Sequence, residues 1–304
     1  MNILVTGGAG FIGSRLTTSL LESGHNVTIY DSLINSSEEN AKRLQKLNAN
    51  FISGDITDFE HISRSISGHE ICIHLAAQID VLHSINDPQY NNLVNISGTK
   101  NVLNSCVKHS VDVIAASSAA VYEESNEPLS ENSSIKPQSP YGESKLAMEQ
   151  ILGDFSKSHD INSLNLRMFN VYGIGQNINN AGVITKFLEN IKNEKDLIIF
   201  GDGNSTRDFV SVDDVIDAIV LSIQKIDGMK GEVINIASGA GTKIIELAER
   251  MISISGKKSI SIKYESGNTG EIIHSQADIS LANNMLSYSP KISLNEGLQQ
   301  LINQ

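Results

Sequence analysis

The segment ILVTGGAGFIG, residues 3–13, decides how the start of this chain folds. Its first four residues suit a short strand, its glycines suit a tight turn, and an apolar pattern of helical spacing runs from Phe11 until Gly24 ends it. The turn contains G-x-G-x-x-G, whose missing side chains let the backbone approach a pyrophosphate at a helix N-terminus. We therefore predict a dinucleotide-binding turn, with the binding residues Gly7, Gly10, Phe11, Ile12 and Gly13.

Apolar segments of strand length alternate with amphipathic segments of helix length over the first two thirds of the chain. Strands are predicted at 3–6, 27–30, 50–53, 71–75, 111–116, 163–168 and 233–236, and helices include 87–109 and 242–254. Because these strands are apolar on both faces and are joined by helices, the predicted fold class is α/β, with a doubly wound parallel sheet. The pattern loosens after Asn170 without a linker, which predicts a second, smaller lobe woven into the first.

The composition is that of a folded protein of ordinary polarity. The 304 residues are 40% hydrophobic and 19% charged, and this length suggests about two domains at roughly 150 residues each. The net charge of −12 argues against nucleic acid and anionic membranes as partners. With no apolar run of membrane length and no basic leader, we expect a cytoplasmic protein. Cys72 and Cys106 stand in apolar segments, so we expect two core thiols in a reducing compartment.

An acidic residue at the end of the second strand bears on which dinucleotide binds. Asp31 lies 18 residues beyond Gly13, where a carboxylate accepts hydrogen bonds from an adenosine ribose and repels a 2′-phosphate. This favours NAD over NADP. The structural alternative is a cluster of turn glycines and a helix-capping Asp31. Asp55 and Ile56, after the third strand, are candidates for the adenine edge.

A second group of residues suits proton transfer. Tyr141 and Lys145 follow Pro140 at i and i+4 of a predicted helix, so they share one face. Free tyrosine has a pKa of about 10, and a neighbouring ammonium is expected to favour its phenolate. Ser118 follows the fifth strand at the carboxyl edge of the sheet, where it could hydrogen-bond the hydroxyl that Tyr141 deprotonates. Taken alone, the spacing is more commonly explained by a tyrosine that packs on a lysine stem.

Together these segments resemble the extended short-chain dehydrogenase/reductase family, in its nucleotide-sugar epimerase group. The matching segments run in family order over nearly the whole chain. They are Gly7–Gly13, HLAAQ at 74–78, NISGT at 95–99, SSAAVY at 117–122, YGESK at 141–145, RMFNVYG at 167–173, GDG at 201–203 with RDF at 207–209, and GE at 270–271 with ADIS at 277–280.

The resemblance implies a split architecture and an NAD cofactor. An NAD-binding Rossmann domain would comprise 1–168 and 206–238, and a small mixed α/β cap of 169–205 and 239–304 would bind the nucleotide sugar. Tyr141 would be the catalytic base, Lys145 its partner and Ser118 the group that positions the hydroxyl. Further cofactor-binding residues implied are Asn35, Leu75, Ala76, Ala77 and Ser117, beside Tyr141 and Lys145. Further substrate-binding residues implied are Asn170 and Arg207 at the diphosphate, Ile198 and Phe200 at the base, Val183, and Ser275 at the sugar, beside Ser118 and Tyr141.

One position departs from the family pattern in a way that affects substrate binding. Asn268 stands where related epimerases usually have an arginine against the diphosphate, which puts nucleotide preference in question. Lys263 is a candidate for compensating that loss. For Arg207, the structural alternative to ligand contact is a surface ion pair with Asp208.

The resemblance implies epimerisation of a nucleotide sugar, by default at C4 of UDP-glucose and UDP-galactose. The Tyr141 phenolate would take the C4 hydroxyl proton while the C4 hydride passes to NAD⁺, and the 4-keto sugar would turn over and regain the hydride on its other face. Ser275 borders the C2 substituent and is small enough to admit N-acetylated sugars. One alternative, a nucleotide-sugar 4,6-dehydratase, needs an acid/base pair where Ala119 and Ala120 stand. The other alternative is a dinucleotide-sensing protein. Proteins of that class can lose the Tyr–Lys pair, whereas this chain keeps it.

Two expectations concern assembly and metals. The helices over 87–109 and 141–158 carry more apolar residues than one sheet face needs, namely Leu93, Val94, Leu103, Met148, Ile151 and Leu152. In related enzymes this helix pair forms a four-helix bundle, so we expect a homodimer; burial of a single helix face on the sheet is the alternative. His74 and His83 have no partners at ligand spacing, so we expect no metal and a structural His74 at its strand end.

Overall fold

The centre of the computed structural model, which describes residues 1–176, 182–266 and 274–303, is a parallel sheet of seven strands. In chain order the strands are β1 (Asn2–Thr6), β2 (Asn26–Asp31), β3 (Asn50–Ser53), β4 (Ile71–His74), β5 (Asp112–Ser118), β6 (Ser163–Met168), β7 (Asn170–Tyr172), β8 (Leu197–Phe200), β9 (Thr206–Ser211), β10 (Lys230–Ile236), β11 (Gly241–Lys243), β12 (Ile262–Glu265) and β13 (His274–Ser275). The central sheet has the order β10-β6-β5-β4-β1-β2-β3. This order reverses between β1 and β4, and doubly wound sheets bind ligands in the crevice at such a reversal. The predicted α/β fold with a doubly wound parallel sheet is confirmed.

Helices cover both faces of this sheet. In chain order the α-helices of the described residues are α1 (Phe11–Glu22), α2 (Glu38–Lys46), α3 (Phe59–Ile66), α4 (Val81–Asn86), α5 (Pro88–Asn92), α6 (Thr99–His109), α7 (Pro140–Ser158), α8 (Val183–Lys192), α9 (Val212–Lys225), α10 (Ile244–Ser255), α11 (Ser280–Leu286) and α12 (Leu294–Ile302). Of these, α8, α10 and α12 pack with the smaller sheets instead of the central one. On one face α1 packs against α9, with Leu16 and Val215 in the shared core. On the other face α3, α6 and α7 enclose Ile62, Val102 and Leu152. Both faces of the central strands are therefore buried, as their apolar sequences require.

The prediction of one continuous helix over 87–109 is wrong in detail. Pro88 starts α5, the chain then widens into a π-helical segment at Leu93–Gly98, and α6 completes the run. Gly98 lets this segment approach the loop after β3, because a Cβ there would lie 2.6 Å from Cδ1 of Ile56. Short π-helical segments often occur at functional sites, and this one contains Asn95.

The remaining strands form two small sheets. β9 lies between β11 and β13 and also pairs with β7, while β8 pairs with β12. The helix predicted over 242–254 begins at Ile244, because 241–243 pair with β9 instead. These elements have their own apolar core, which includes Phe187 and Leu247. β9 opens the 206–238 part of the predicted NAD-binding domain but pairs with cap strands, and the domain division itself stays a prediction.

Half of the apolar residues proposed for a dimer surface lie in the core of the single chain. Leu103, Met148 and Leu152 are each 2% exposed or less, within the apolar cluster between helices and sheet. Of the others, Leu93 is exposed, while Val94 and Ile151 are half-buried. The alternative, that these helices mainly bury one face on the sheet, therefore describes the single chain better.

Cys72 and Cys106 are free and fully buried, as predicted. In the part of the chain that the structure describes, no helix combines the length and apolar character needed to cross a membrane.

Candidate active site

The glycine-rich turn is shaped by close contacts that leave no space for side chains. Gly7 has a φ of +67°, and a Cβ there would lie 2.8 Å from the backbone nitrogen of Ala76. A Cβ at Gly13 would lie 2.2 Å from the carbonyl oxygen of Gly7. Gly10 is the N-cap of α1 and supplies no side-chain cap, so the first-turn N–H groups lack the partner that a capping side chain gives. This cradle fits the pyrophosphate of a dinucleotide.

Asp31 ties the end of β2 to this turn. Its Oδ2 accepts a hydrogen bond from the N–H of Ala9 at 3.0 Å, and its Oδ1 accepts from the N–H of Leu33 at 2.8 Å and the hydroxyl of Ser36 at 2.7 Å. The carboxylate thus has a structural role and also stands at the edge of the glycine turn. The segment 32–40 contains two glutamates and no lysine or arginine that could receive a 2′-phosphate. This arrangement fits NAD better than NADP.

The other predicted cofactor-binding residues differ in their burial and in their distance from the glycine-rich turn. Leu75 and Ala76 follow β4 directly and pass beside Gly7, and the 75–77 stretch is half-buried. Ile56 is 4% exposed and packs in the apolar core, so its side chain offers no open face to a ligand. Asp55 is half-buried, and its Oδ1 accepts hydrogen bonds from the N–H and the hydroxyl of Thr57. Asn35 is exposed in the loop after β2.

Helix α7 begins one residue before Tyr141 and is fixed at that end by close contacts. The side chain of Ser139 accepts a hydrogen bond from the N–H of Gly142 at 3.2 Å, and the hydroxyl of Ser84 accepts from the N–H of Tyr141 at 3.2 Å. A Cβ at Gly142 would lie 2.4 Å from the carbonyl oxygen of Ala120. The start of the helix therefore lies directly on the turn that follows β5.

The three predicted catalytic residues meet at the carboxyl end of β5. The ammonium of Lys145 lies 5.9 Å from the centre of the Tyr141 ring and donates to the carbonyl oxygen of Ala116 at 2.8 Å. A hydrogen bond with the Ser118 side chain lowers the pKa of Tyr141, but burial raises it by more. Burial also lowers the pKa of Lys145 to about 8. The expected shift of Tyr141 toward phenolate is therefore wrong for the chain by itself, because desolvation outweighs its polar neighbours.

His74 has the structural role that was predicted for it. Its Nδ1 lies 2.8 Å from the hydroxyl oxygen of Thr6, and its Nε2 lies 3.0 Å from that of Thr99. Burial, with a smaller contribution from the charge of Lys145, lowers the pKa of His74 to about 3, so the ring is neutral. Within 1–176, 182–266 and 274–303, no group of three or more His, Cys, Asp or Glu side chains could hold a metal ion.

Asn95 belongs to a segment used for the family resemblance, but the sequence assigned it no role. Its amide donates to the carbonyl of Gln78 at 2.9 Å, the side-chain oxygen of Asn91 at 3.2 Å and the hydroxyl of Ser144 at 3.0 Å. Its own side-chain oxygen accepts from the N–H of Gln78 at 2.8 Å. Asn95 therefore joins the loop after β4 to the helix that carries Tyr141. Only the position of the NISGT segment could have indicated this.

A buried ion pair next to the catalytic residues was also missed. Glu149, one turn beyond Lys145, accepts from Nε of Arg167 at 2.8 Å and from Nη2 at 2.7 Å. Glu149 also accepts from the hydroxyl of Ser117, which was predicted to line the cofactor and whose side chain turns to this carboxylate. An arginine within an apolar strand was the one signal of this pair in the sequence.

Three predicted substrate residues come together on the small sheet of β7, β9 and β13. Arg207 is in register with Ser275, and the amide of Asn170 donates to the carbonyl of Asp208 at 3.1 Å. Asp208 is fully buried, and its carboxylate accepts from the hydroxyl of Ser238 at 2.6 Å and from nearby backbone N–H groups. The surface ion pair considered for Arg207 therefore does not describe this site.

The predicted base-binding residues lie on β8. Ile198 and Phe200 share its outward face and are 38% and 49% exposed. Val183, the first residue of α8, is half-buried. The structure thus presents an apolar pair on an open strand face, which suits stacking against a planar ring.

Lys263 was considered as a substitute for the arginine that related epimerases have at the position of Asn268. Lys263 is in register with Ile198 but pairs with Asp196 at 2.7 Å, so its charge is already directed to a carboxylate. Asn268 and Gly270 lie outside the described residues.

Comparisons with known proteins agree with this arrangement. The family described as NAD dependent epimerase/dehydratase matches residues 3–237. A UDP-glucose 4-epimerase of Mycolicibacterium smegmatis is 32% identical over 312 residues, which cover 99% of this chain and 97% of that protein. The structure of UDP-glucose 4-epimerase from Thermotoga maritima with UDP-glucose has a TM-score of 0.93 and 36% identity, over 100% of this chain and 98% of that one. A UDP-N-acetylglucosamine 4-epimerase from Methanobrevibacter ruminantium, in complex with UDP-N-acetylmuramic acid, has a TM-score of 0.93 and 33% identity, over 99% and 97% of the two chains.

The position of Asp31 predicts a strong preference for NAD. After removal of any co-purified cofactor, calorimetry should show NAD binding at least about tenfold tighter than NADP, a difference of about 1.4 kcal/mol. Asp31→Asn should remove most of this preference, because the amide keeps one acceptor oxygen and loses the charge that repels a 2′-phosphate. Glu38→Gln, which neutralises an exposed carboxylate in the same stretch, is the matched control. NADP binding as tight as NAD in the wild-type chain would contradict the assignment.

Proposed function

We propose, because the chain belongs to the NAD dependent epimerase/dehydratase family, that it is an NAD-dependent nucleotide-sugar epimerase. It inverts C4 of UDP-glucose and UDP-galactose, of their N-acetylated forms, or of both. The observation that carries this proposal is the meeting of Tyr141, Lys145 and Ser118 at the carboxyl end of β5. The full-length similarity to UDP-sugar 4-epimerases supports the choice of reaction.

In this proposal Tyr141 is the base that removes the proton of the C4 hydroxyl. The Ser118 side chain lies close enough to Tyr141 to lower the pKa of the phenol, and by position it is also expected to hold the substrate hydroxyl. Lys145 carries its positive charge below about pH 8 and stands one helical turn from the phenol. When bound in the glycine cradle, NAD supplies a reversible hydride acceptor, so the reaction consumes no external reductant.

The nucleotide sugar would extend from this group to the small sheet. Arg207 and Asn170 are proposed to bind its diphosphate, and Ile198 and Phe200 its base. Because the chain has a net charge of −12, an anionic ligand needs local cations such as Arg207 to bind.

The two alternatives find less support. A 4,6-dehydratase would need acid/base side chains after Ser118, and the structure has there a short 3-10 turn of Ala119, Ala120 and Val121. A dinucleotide-sensing protein would have no use for a buried Lys145 beside Tyr141, and this chain retains both.

Replacing the proposed base tests the function directly. The wild-type enzyme is incubated with UDP-glucose, UDP-galactose and their N-acetylated counterparts without reductant, and the products are separated by chromatography. Tyr141→Phe should lower turnover by about 10²–10⁴, because it removes the proton acceptor and keeps the ring. Its melting temperature and NAD affinity should stay close to wild type, which separates lost chemistry from lost folding. Turnover near the wild-type value would remove Tyr141 from the mechanism.

The size of Ser275 predicts the choice of sugar. Ser275 is 6% exposed and lies in register with Arg207, so a larger side chain there would have to displace its neighbours or enter the proposed sugar site. We expect wild type to accept N-acetylated substrates. Ser275→Tyr should lose these substrates and keep the plain hexoses, since the variant adds only a steric wall. Ser275→Ala, which keeps the space, should accept the same sugars as wild type. A wild-type enzyme that turns over no N-acetylated substrate, or a Tyr variant that does so at full rate, would refute the argument.

We also propose that the protein is a homodimer through α6 and α7, although less apolar surface supports this than the sequence suggested. Leu93 is 49% exposed and Val94 is half-buried in the π-helical segment that leads into α6, and Ile151 is half-buried on α7. Light scattering at micromolar concentration should give twice the chain mass of 32.9 kDa, and Leu93→Glu should reduce it toward that of a single chain. A monomer mass for wild type would contradict the proposal.

The buried free thiols of Cys72 and Cys106 suit a reducing, cytoplasmic setting.

A further inference from the structure

The ion pair of Glu149 and Arg167 is buried and has no part in the proposed chemistry. Its side chains are 4% and 5% exposed, and two parallel hydrogen bonds of 2.8 and 2.7 Å join them. Arg167 also stacks over the ring of Tyr122, with its guanidinium carbon 4.7 Å from the ring centre. Both charges are therefore held in fixed positions inside the protein.

Stability alone is a weak reason for such a pair. Moving two charges out of water costs several kcal/mol, and well-packed apolar residues of similar volume often stabilise a core equally well or better. A buried pair that adjoins a catalytic group suggests that its charge serves that group.

The geometry identifies the group as Lys145. Glu149 follows Lys145 by one helical turn, so the two side chains lie on the same face of α7. The Lys145 ammonium donates to the carbonyl of Ala116, and the next residue, Ser117, donates its hydroxyl to Glu149. Two consecutive residues of β5, Ala116 and Ser117, are therefore hydrogen-bonded to two side chains of helix α7, Lys145 and Glu149.

The electrostatic surroundings of Lys145 leave Glu149 as the carboxylate that supports its charge. On its own helix Lys145 shares a face with Tyr141 and Glu149, and its charge acts on the neutral ring of His74 at the end of β4. The guanidinium of Arg167 on β6 is bonded to Glu149. Burial lowers the pKa of Lys145, and the charge of Glu149 opposes this effect.

We propose that Glu149 is a positioning residue that keeps Lys145 protonated and fixed beside Tyr141, with Arg167 as the counter-ion that holds the Glu149 carboxylate. The effect on catalysis rests on the proposed function. The electrostatic link between Glu149 and Lys145 is independent of that function.

The sign of the effect follows from the charges. Lys145 is protonated below its pKa and loses its charge as the pH rises through that value. Without the Glu149 carboxylate the Lys145 ammonium has no nearby anion, so the pKa of Lys145 falls. The loss of activity with rising pH therefore begins at a lower pH than in the wild-type enzyme. An opposite charge within a few ångströms typically shifts a pKa by about 1–3 units.

The test uses two variants, because Glu149→Gln alone leaves Arg167 buried without a counter-ion and lowers stability by itself. The double variant Glu149→Gln/Arg167→Met removes both charges and retains the packing of the arginine stem. Glu246→Gln is the matched control, since Glu246 is a partly exposed helical carboxylate paired with Arg250 at i+4. For each protein, the pH dependence of kcat/KM is measured together with thermal unfolding.

A second measurement follows Lys145 without catalysis. The chain is labelled with ¹³C at the lysine ε-carbons, and the Lys145 signal, identified by its loss in Lys145→Met, is titrated in the absence of substrate. In Glu149→Gln this pKa should fall by about one unit or more, and the alkaline limb of kcat/KM should move down with it. In the double variant the fall should be in the same direction but smaller, because the positive charge of Arg167 is removed as well. The Glu246→Gln control should show neither shift.

A structural role alone would lower the unfolding temperature and leave both the pKa of Lys145 and the alkaline limb in place. Unchanged titration of Lys145 in the folded double variant would overturn the proposal. If wild type epimerises no nucleotide sugar, the proposed function fails, and the lysine titration still decides whether Glu149 holds the charge of Lys145.

Discussion

The position of the proposed catalytic residues Tyr141 and Lys145 depends on the close packing of helix α7 against the sheet. Two glycine contacts permit it: a Cβ at Gly142 would lie 2.4 Å from the carbonyl of Ala120, and a Cβ at Gly231 would lie 2.5 Å from the Cα of Gly153. The first contact is at the start of the helix and the second is near its middle, against β10. Between them the helix is near enough for Lys145 to reach the carbonyl of Ala116. Larger residues at either glycine would move the whole catalytic face away from the strand ends.

This packing also explains why the interior here is polar. The helix face that carries the phenol and ammonium continues into Glu149, and the strand opposite supplies Arg167. The two buried charges of Glu149 and Arg167 are paired with each other, because a buried charge without a partner is strongly destabilising. On the other side, Asn95 fixes the loop after β4 to the same helix through Gln78 and Ser144. The site is therefore held by directional bonds on both sides, which limits how far its groups can move apart.

The proposed function requires an acidic protein to bind two anionic ligands, which needs positive potential at defined places. The net charge is −12, so any attraction for phosphate must be local. The N-terminus of α1 offers one such place, made from backbone N–H groups that the glycine turn leaves open. Arg207 on the small sheet is proposed as another, and Lys145 adds a charge beside Tyr141 at the carboxyl end of β5. Asp31, by contrast, accepts a hydrogen bond from the N–H of Ala9 in the glycine turn, and we predict that its negative charge selects against a further phosphate.

The sequence by itself determined the fold class, because short strands that are apolar on both faces, helical apolar patterns and the glycine turn can each be recognised from neighbouring residues alone. It also placed Tyr141, Lys145 and Ser118 together, since i and i+4 share a helix face and parallel strands end at one edge. It missed the hydrogen bonds of Asn95 and the Glu149–Arg167 pair, because each joins two different elements and neither follows from a local sequence pattern. It also gave the wrong direction for the pKa of Tyr141, and it presented Leu103, Met148 and Leu152 as surface. Both errors have one physical reason: desolvation depends on what finally covers a residue, and only the tertiary structure decides that.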